Sequence, residues 1–217
     1  MDENVKIEIK GQNIFPLVKG PEFVMGCKEI VENRFGKVAP DHPMLPVVMQ
    51  VSERHDFYIL CGVDTGKGYA YLTNGDFGRL GISHKDLMDR MLENLERVIG
   101  GIILEKKYTH VKQEEGRHSF TFPNDLAPSF ILVAHKHYDV VENETGIMGA
   151  EFFYVLTVTT GEIIVCGPSL PVDALGFLVE QINERKDELA GEAGRPEEIV
   201  SVEPVIITKE GWSFVGD

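Results

Sequence analysis

The chain has 217 residues, 43 % hydrophobic and 26 % charged, the proportions of a folded protein with a core of its own rather than of a disordered one. Its 35 acidic and 21 basic residues leave a formal charge of −14, a field that repels phosphate and argues against nucleic acid or an anionic membrane as partner. No apolar run of about 18 residues is there to span a bilayer, and Met1-Asp2-Glu3-Asn4 lacks the basic-then-apolar layout of a secretion signal, so the expected location is the cytoplasm.

In chain order, Val5 to Ile9 alternates apolar and charged residues, the two-residue period of a half-buried strand. Gly20-Pro21 opens a helix, with proline where its missing N–H costs nothing. Phe23, Val24, Cys27, Ile30 and Val31 mark the expected inner face of that helix, and Gly36 stops it. Pro40, Pro43 and Pro46 then make a stiff connector that delivers Val47 to Val51 as a strand. Phe57 to Val63 and Tyr69 to Leu72 read as a hairpin about Asp64-Thr65-Gly66-Lys67-Gly68.

The strongest local signal runs from Ser83 to Val98. Ser83 and Asp86 have the spacing of a capping box, and Leu87, Met88, Met91, Leu92, Leu95, Val98 and Ile99 recur at helical steps. Burying that stripe is worth on the order of 10 kcal/mol before the ordering entropy is subtracted. Gly100-Gly101 is the expected end. Ile102 to Val111 is expected to add a strand, and Lys112 to Arg117 a charged surface loop.

The second half repeats this order. Ser129 to Val140 reads as a strand, and Phe153 to Leu156 runs through Thr160-Gly161 into Ile163 to Cys166, an echo of the first hairpin. A helix follows from about Pro171 to Leu189, with Leu175, Leu178, Val179 and Ile182 inward, the charged run Glu184 to Glu188 outward, and Gly191 and Gly194 closing it. Glu203 to Thr208 and Trp212 to Val215 end the chain as paired strands. The expectation is an α+β fold of two α-β-β-β-like halves, with antiparallel sheet, helices packed on one face, a third helix and a C-terminal hairpin. The halves divide at 1–111 and 112–217, a division that one continuous domain would also accommodate.

Among residues able to carry chemistry, His135, His137 and Asp139 stand out. On a strand, alternate residues share a face, so two imidazoles and a carboxylate would project together and could hold a divalent metal for a hydrolase. The competing reading is the polar outer face of an edge strand. His110 and His118 flank a loop carrying Glu114 and Glu115, another set that folding could bring together. Cys27, Cys61 and Cys166 are odd in number and lie in apolar contexts, as expected of free buried thiols. Gly66-Lys67-Gly68 lacks phosphate-loop spacing, and no nucleophile-elbow, zinc-finger or dinucleotide signature occurs. Trp212 and Phe214, with Tyr69 and Tyr71, are either aromatic anchors of a protein surface or caps on the core.

Met44-Leu45-Pro46-Val47-Val48, then Phe57-Tyr58-Ile59-Leu60, then Leu80-Gly81-Ile82-Ser83 opening a helix that contains Glu93-Asn94-Leu95, resembles the layout of the YtpQ-like family of uncharacterised bacterial proteins. The resemblance spans roughly Leu45 to Val215 and rests on apolar positions. It implies the element order above and no site residue. The expected function is accordingly non-enzymatic and cofactor-free: binding of a protein partner, or self-association. The alternatives are a metal-dependent hydrolase using His135, His137 and Asp139, and binding of a small ligand in a cleft between the halves.

Overall fold

Apolar strands joined by short turns pair with neighbours in sequence. The computed structural model describes residues 13–51, 55, 57–113, 116–193 and 203–216, and it contains two antiparallel sheets of that kind, which with its helices make an α+β fold. The first sheet is centred on β3 (Tyr58–Asp64), with β1 (Ile14–Lys19) along one edge and β2 (Val48–Gln50) and β4 (Tyr69–Tyr71) along the other. The second comprises β5 (Thr109–Lys112), β6 (Arg117–Thr121), β7 (Phe153–Thr157), β8 (Glu162–Cys166), β9 (Val205–Ile207) and β10 (Trp212–Phe214), in the order β10-β9-β7-β8-β6-β5. The three hairpins foreseen in the sequence are present, β3 with β4, β7 with β8 and, at the C-terminal end, β9 with β10. Gly66 turns the first at φ 77°, where its N–H donates to Asp64 Oδ1 at 2.7 Å.

The helices are α1 (Pro21–Phe35), α2 (Asn74–Leu80), α3 (His84–Leu104), α4 (Ala127–Phe130), a 3-10 helix (Ile131–His137), α5 (Tyr138–Thr145) and α6 (Val172–Ala193). Ser83 and Asp86 form the full capping box at the start of α3. Leu87 and Met91 pack on the first sheet, while Leu95, Ile99 and Ile102 enter a core shared with Phe120, Phe130, Ile131, Phe153, Val155 and Val165. That core joins residues from both sides of position 111, and β5 itself crosses the 111/112 division. On the second sheet, Val155, Val165 and Phe120 face α4 and the 3-10 helix, whereas Tyr154, Leu156, Ile164 and Cys166 face Leu175, Leu178 and Ile182 of α6.

Several boundaries differ from the sequence reading. Gly100 and Gly101 lie inside α3, which runs on to Leu104, so only 109–111 of the stretch 102–111 is extended. Tertiary burial of Ile99 and Ile102 on either side outweighs the roughly 1 kcal/mol cost of each glycine. Asn74 to Leu80 forms a helix of its own, capped by the Thr73 hydroxyl, which accepts from the Asp76 N–H at 3.2 Å. Gly191 likewise falls within α6. Of the five residues expected on the inner face of α1, only Val31 is buried, and Ile30 is 72 % exposed. The strand β1 was hidden by Pro16, which an edge strand tolerates. The alternating stretch Val5 to Ile9, the side chains of Arg185 to Glu188 and Gly194 lie outside the described residues.

The largest difference is Ser129 to Val140. It is helical throughout, passing from α4 through the 3-10 helix into α5. Phe130 to Ala134 are buried without a break, and an element enclosed on all sides has no polar stripe to betray its period.

These packing assignments predict that Leu95→Ala, a truncation of a fully buried side chain at the meeting of both sheets, lowers unfolding free energy by about 2–5 kcal/mol in urea titrations. Ile30→Ala should stay within about 0.5 kcal/mol of the parent, although the apolar pattern of the sequence ranks the two positions together.

Candidate functional site

Where the two sheets diverge, an open groove of about 300 Å³ is lined by seven apolar side chains: Met49, Val51, Ile59, Met88, Leu92, Leu132 and Trp212. Met49 and Ile59 face each other across the β2–β3 ladder, so one face of the first sheet forms one wall. Met88 and Leu92 lie one helical turn apart on α3 and form the next. Leu132 comes from the 3-10 helix and Trp212 from the edge strand β10. The indole is braced from behind by Phe57, with ring centroids 5.4 Å apart, and edge-on by Phe214 at 5.5 Å. Met49, Met88, Leu92 and Trp212 are each only half-buried, which leaves apolar surface facing the groove.

A second cluster lies at the other edge of the larger sheet. The pairing of β5 with β6 sets His110 opposite Phe120 and Lys112 opposite His118, on one face of the sheet. His110 Nε2 and His118 Nδ1 are 2.9 Å apart. The imidazole planes differ by 12° with centroids 5.2 Å apart, so the rings meet edge to edge rather than face to face. His110 Nδ1 lies 3.2 Å from Glu144 Oε2 on α5, and the Tyr108 hydroxyl donates to Glu144 Oε1. Burial, with His110 and Lys112 adding to it, pushes the His118 pKa down. Burial followed by the Glu144 contact pushes Tyr108 up to about 12. Folding therefore joins His110 with His118, as the sequence allowed, and their carboxylate partner is Glu144 of α5. Glu114 and Glu115 lie outside the described residues.

His135, His137 and Asp139 are brought to no common face. In a 3-10 turn successive side chains step by about 120°, so His135 and His137 diverge. Asp139 is exposed on α5, and Lys136 between the histidines reaches Glu96 of α3. Among the described residues, no three His, Cys, Asp or Glu side chains are grouped so as to hold a metal ion. His135 Nδ1 and His137 Nε2 are buried without a hydrogen-bond partner there. Desolvation, the largest influence on it, leaves the His137 pKa below the usual imidazole range. Cys27, Cys61 and Cys166 are free thiols, and burial pushes Cys61 up to about 12 and Cys166 up to about 11, away from the thiolate that nucleophilic chemistry needs. Gly66-Lys67-Gly68 is the β3–β4 turn.

No protein-family model, curated protein or solved structure matches the chain. Among the described residues no helix is long and apolar enough to cross a membrane.

The unpartnered His137 nitrogen predicts an unusual tolerance. His137→Phe keeps the ring beside Phe130, 6.5 Å away between centroids, and removes a polar atom that costs free energy where it is. Thermal unfolding should show the variant within about 1 kcal/mol of the parent or more stable. A folded-state imidazole held below its ordinary value of about 6.5 contributes stability above that pH and loses it as pH falls. The variant should therefore lose less stability than the parent on acidification from about pH 7 to pH 5.

Proposed function

We propose that the protein binds an apolar small molecule, or the apolar end of an amphipathic one, in the groove between the sheets. The observation that carries the reading is the lining: every wall is hydrocarbon, thioether or indole, contributed by β2, β3, α3, the 3-10 helix and β10 together. Ligand sites fall in the range of roughly 300–1,000 Å³ and are mostly apolar, and this groove stands at the small end of that range. Two methionines adapt their shape without a polar penalty, so the site favours hydrophobic character over one exact outline. Burying about 100 Å² of ligand surface there would contribute on the order of 2.5 kcal/mol.

A protein-docking role has less behind it. Met25, Ile30 and Phe35 are exposed on α1, but five residues is about 140° of rotation, so they are spread around the helix rather than gathered in a stripe.

Trp212 is the only tryptophan, and it lines the groove, so its fluorescence reports occupancy directly. Titration with decanoate should shift its emission to the blue. About a dozen non-hydrogen atoms at roughly 0.4 kcal/mol each correspond to a Kd on the order of 0.3 mM. Met88→Phe, which places a ring in the groove, should remove the shift while the far-ultraviolet circular dichroism stays that of the parent. An undiminished shift in that variant, or no shift in the parent up to about ten times that concentration, defeats the proposal.

A further inference from the structure

The protons of the second cluster can be counted. Glu144 Oε1 accepts from the Tyr108 hydroxyl, and its Oε2 lies 3.2 Å from His110 Nδ1, a charge contact that favours hydrogen on that nitrogen. A neutral His110 then presents a lone pair at Nε2, and His118 Nδ1–H fills it across 2.9 Å. In that arrangement the two facing ring nitrogens are donor and acceptor to one another and Nδ1 of His110 faces the carboxylate.

One added proton leaves the line intact. His118 takes it at Nε2 and passes its Nδ1 hydrogen to His110 Nε2; the His110 imidazolium faces the Glu144 carboxylate, and the N–H···N bond survives with donor and acceptor exchanged. A second added proton puts hydrogen on both facing nitrogens. Two N–H groups, each on a cationic ring, then point at one another where a hydrogen bond had been.

We infer that the Tyr108–Glu144–His110–His118 line is a one-proton latch that fastens strand β5 to β6 and to α5, closed with none or one proton added to the pair and opened by the second.

The surroundings suit this role. Strand β5 is four residues long, lies at the sheet edge and is paired by β6 alone. Its other three residues are exposed, so His110 is its one side chain held between elements. Among the described residues, the titratable and charged groups facing the pair are Tyr108 just before β5, Lys112 from β5 and Glu144 from α5; Arg117 of β6 lies on the opposite face. Burial of His118, with His110 and Lys112 beside it, opposes charge on that ring. The binding groove shares no residue with the latch, so the two proposals stand or fall separately.

The test is amide hydrogen exchange on the full chain between about pH 7.5 and pH 5, corrected for intrinsic rates, with nitrogen-15 imidazole spectra of the same protein. Protection at 109–112 should fall about tenfold or more on acidification while β7 and β8 keep theirs. His118→Phe should abolish the pH dependence of β5 protection, whatever its absolute level. Glu144→Gln, which withdraws the charge that faces His110, should weaken β5 at all pH values. In the parent at about pH 8, both imidazoles should carry their hydrogen on Nδ1. Pairwise Nε2–H tautomers, β5 protection that ignores pH, or an unchanged pH dependence in His118→Phe would each overturn the inference. The tautomer readout needs no variant, so a misfolded substitution does not rescue it.

Discussion

An antiparallel sheet has two faces to cover, and two sheets in one chain leave a space between them that something apolar must fill. Here the filling is the inner face of the C-terminal half of α3, Leu95, Ile99 and Ile102, together with the buried run Phe130 to Ala134. Remove that wedge and Leu17, Ile59, Phe153, Val155 and Val165 face water across an unfilled gap. The side-chain contacts of α3 divide accordingly: Leu87 and Met91 belong to the first sheet, Leu95 and Ile99 to the shared interior. One helix thereby fixes the relation of the sheets, and the groove is where its wedge stops short of filling the space.

This accounts for which parts could be read in advance. Amphipathic α3 and α6, with Leu175, Leu178 and Ile182 inward, each bury one face and expose another, so their periods are written in the alternation of residue types, while the hairpins of β3 and β7, buried on both faces, are marked by the glycine-bearing turns between short apolar runs. Ser129 to Ala134 buries on every side and carries the β-branched Ile131 and Val133, which on pattern alone is indistinguishable from a sheet-core strand. The strand alignment of His135, His137 and Asp139 went with that assignment, since the alternation that puts them on one face of a strand does not hold on a helix. His110 and His118 were visible as a pair only because their intervening loop is short; the partner Glu144 lies 26 positions beyond His118 on another element, and nothing local announces it.

The groove was legible in its parts and not as a whole. Met88 and Leu92 belong to the apolar stripe of α3 and look like ordinary core residues beside Leu87 and Met91. A rotation of about 100° separates neighbours in a helix, and that step places Leu87 and Met91 against the sheet and leaves Met88 and Leu92 half-covered at its margin. Burial depends on what lies opposite, which here is Leu132 and Trp212 from the distant part of the chain.

The chemistry of the two features also divides. In the groove the only polar group carried by the lining side chains is the indole N–H of Trp212, so a ligand would be held by shape and desolvation. Such contacts stabilise a substrate and its transition state equally, and uniform binding does not speed a chemical step. At the far edge of the sheet ionisable groups are set against one another in the fold itself: the Tyr108 hydroxyl donates to Glu144, and His110 lies between Glu144 and His118. A hydrogen-bonded line that spends its groups on one another secures a strand more readily than it turns over a substrate. The apolar groove and the histidine cluster therefore sit at opposite edges of the same sheet, β10 at one and β5 at the other.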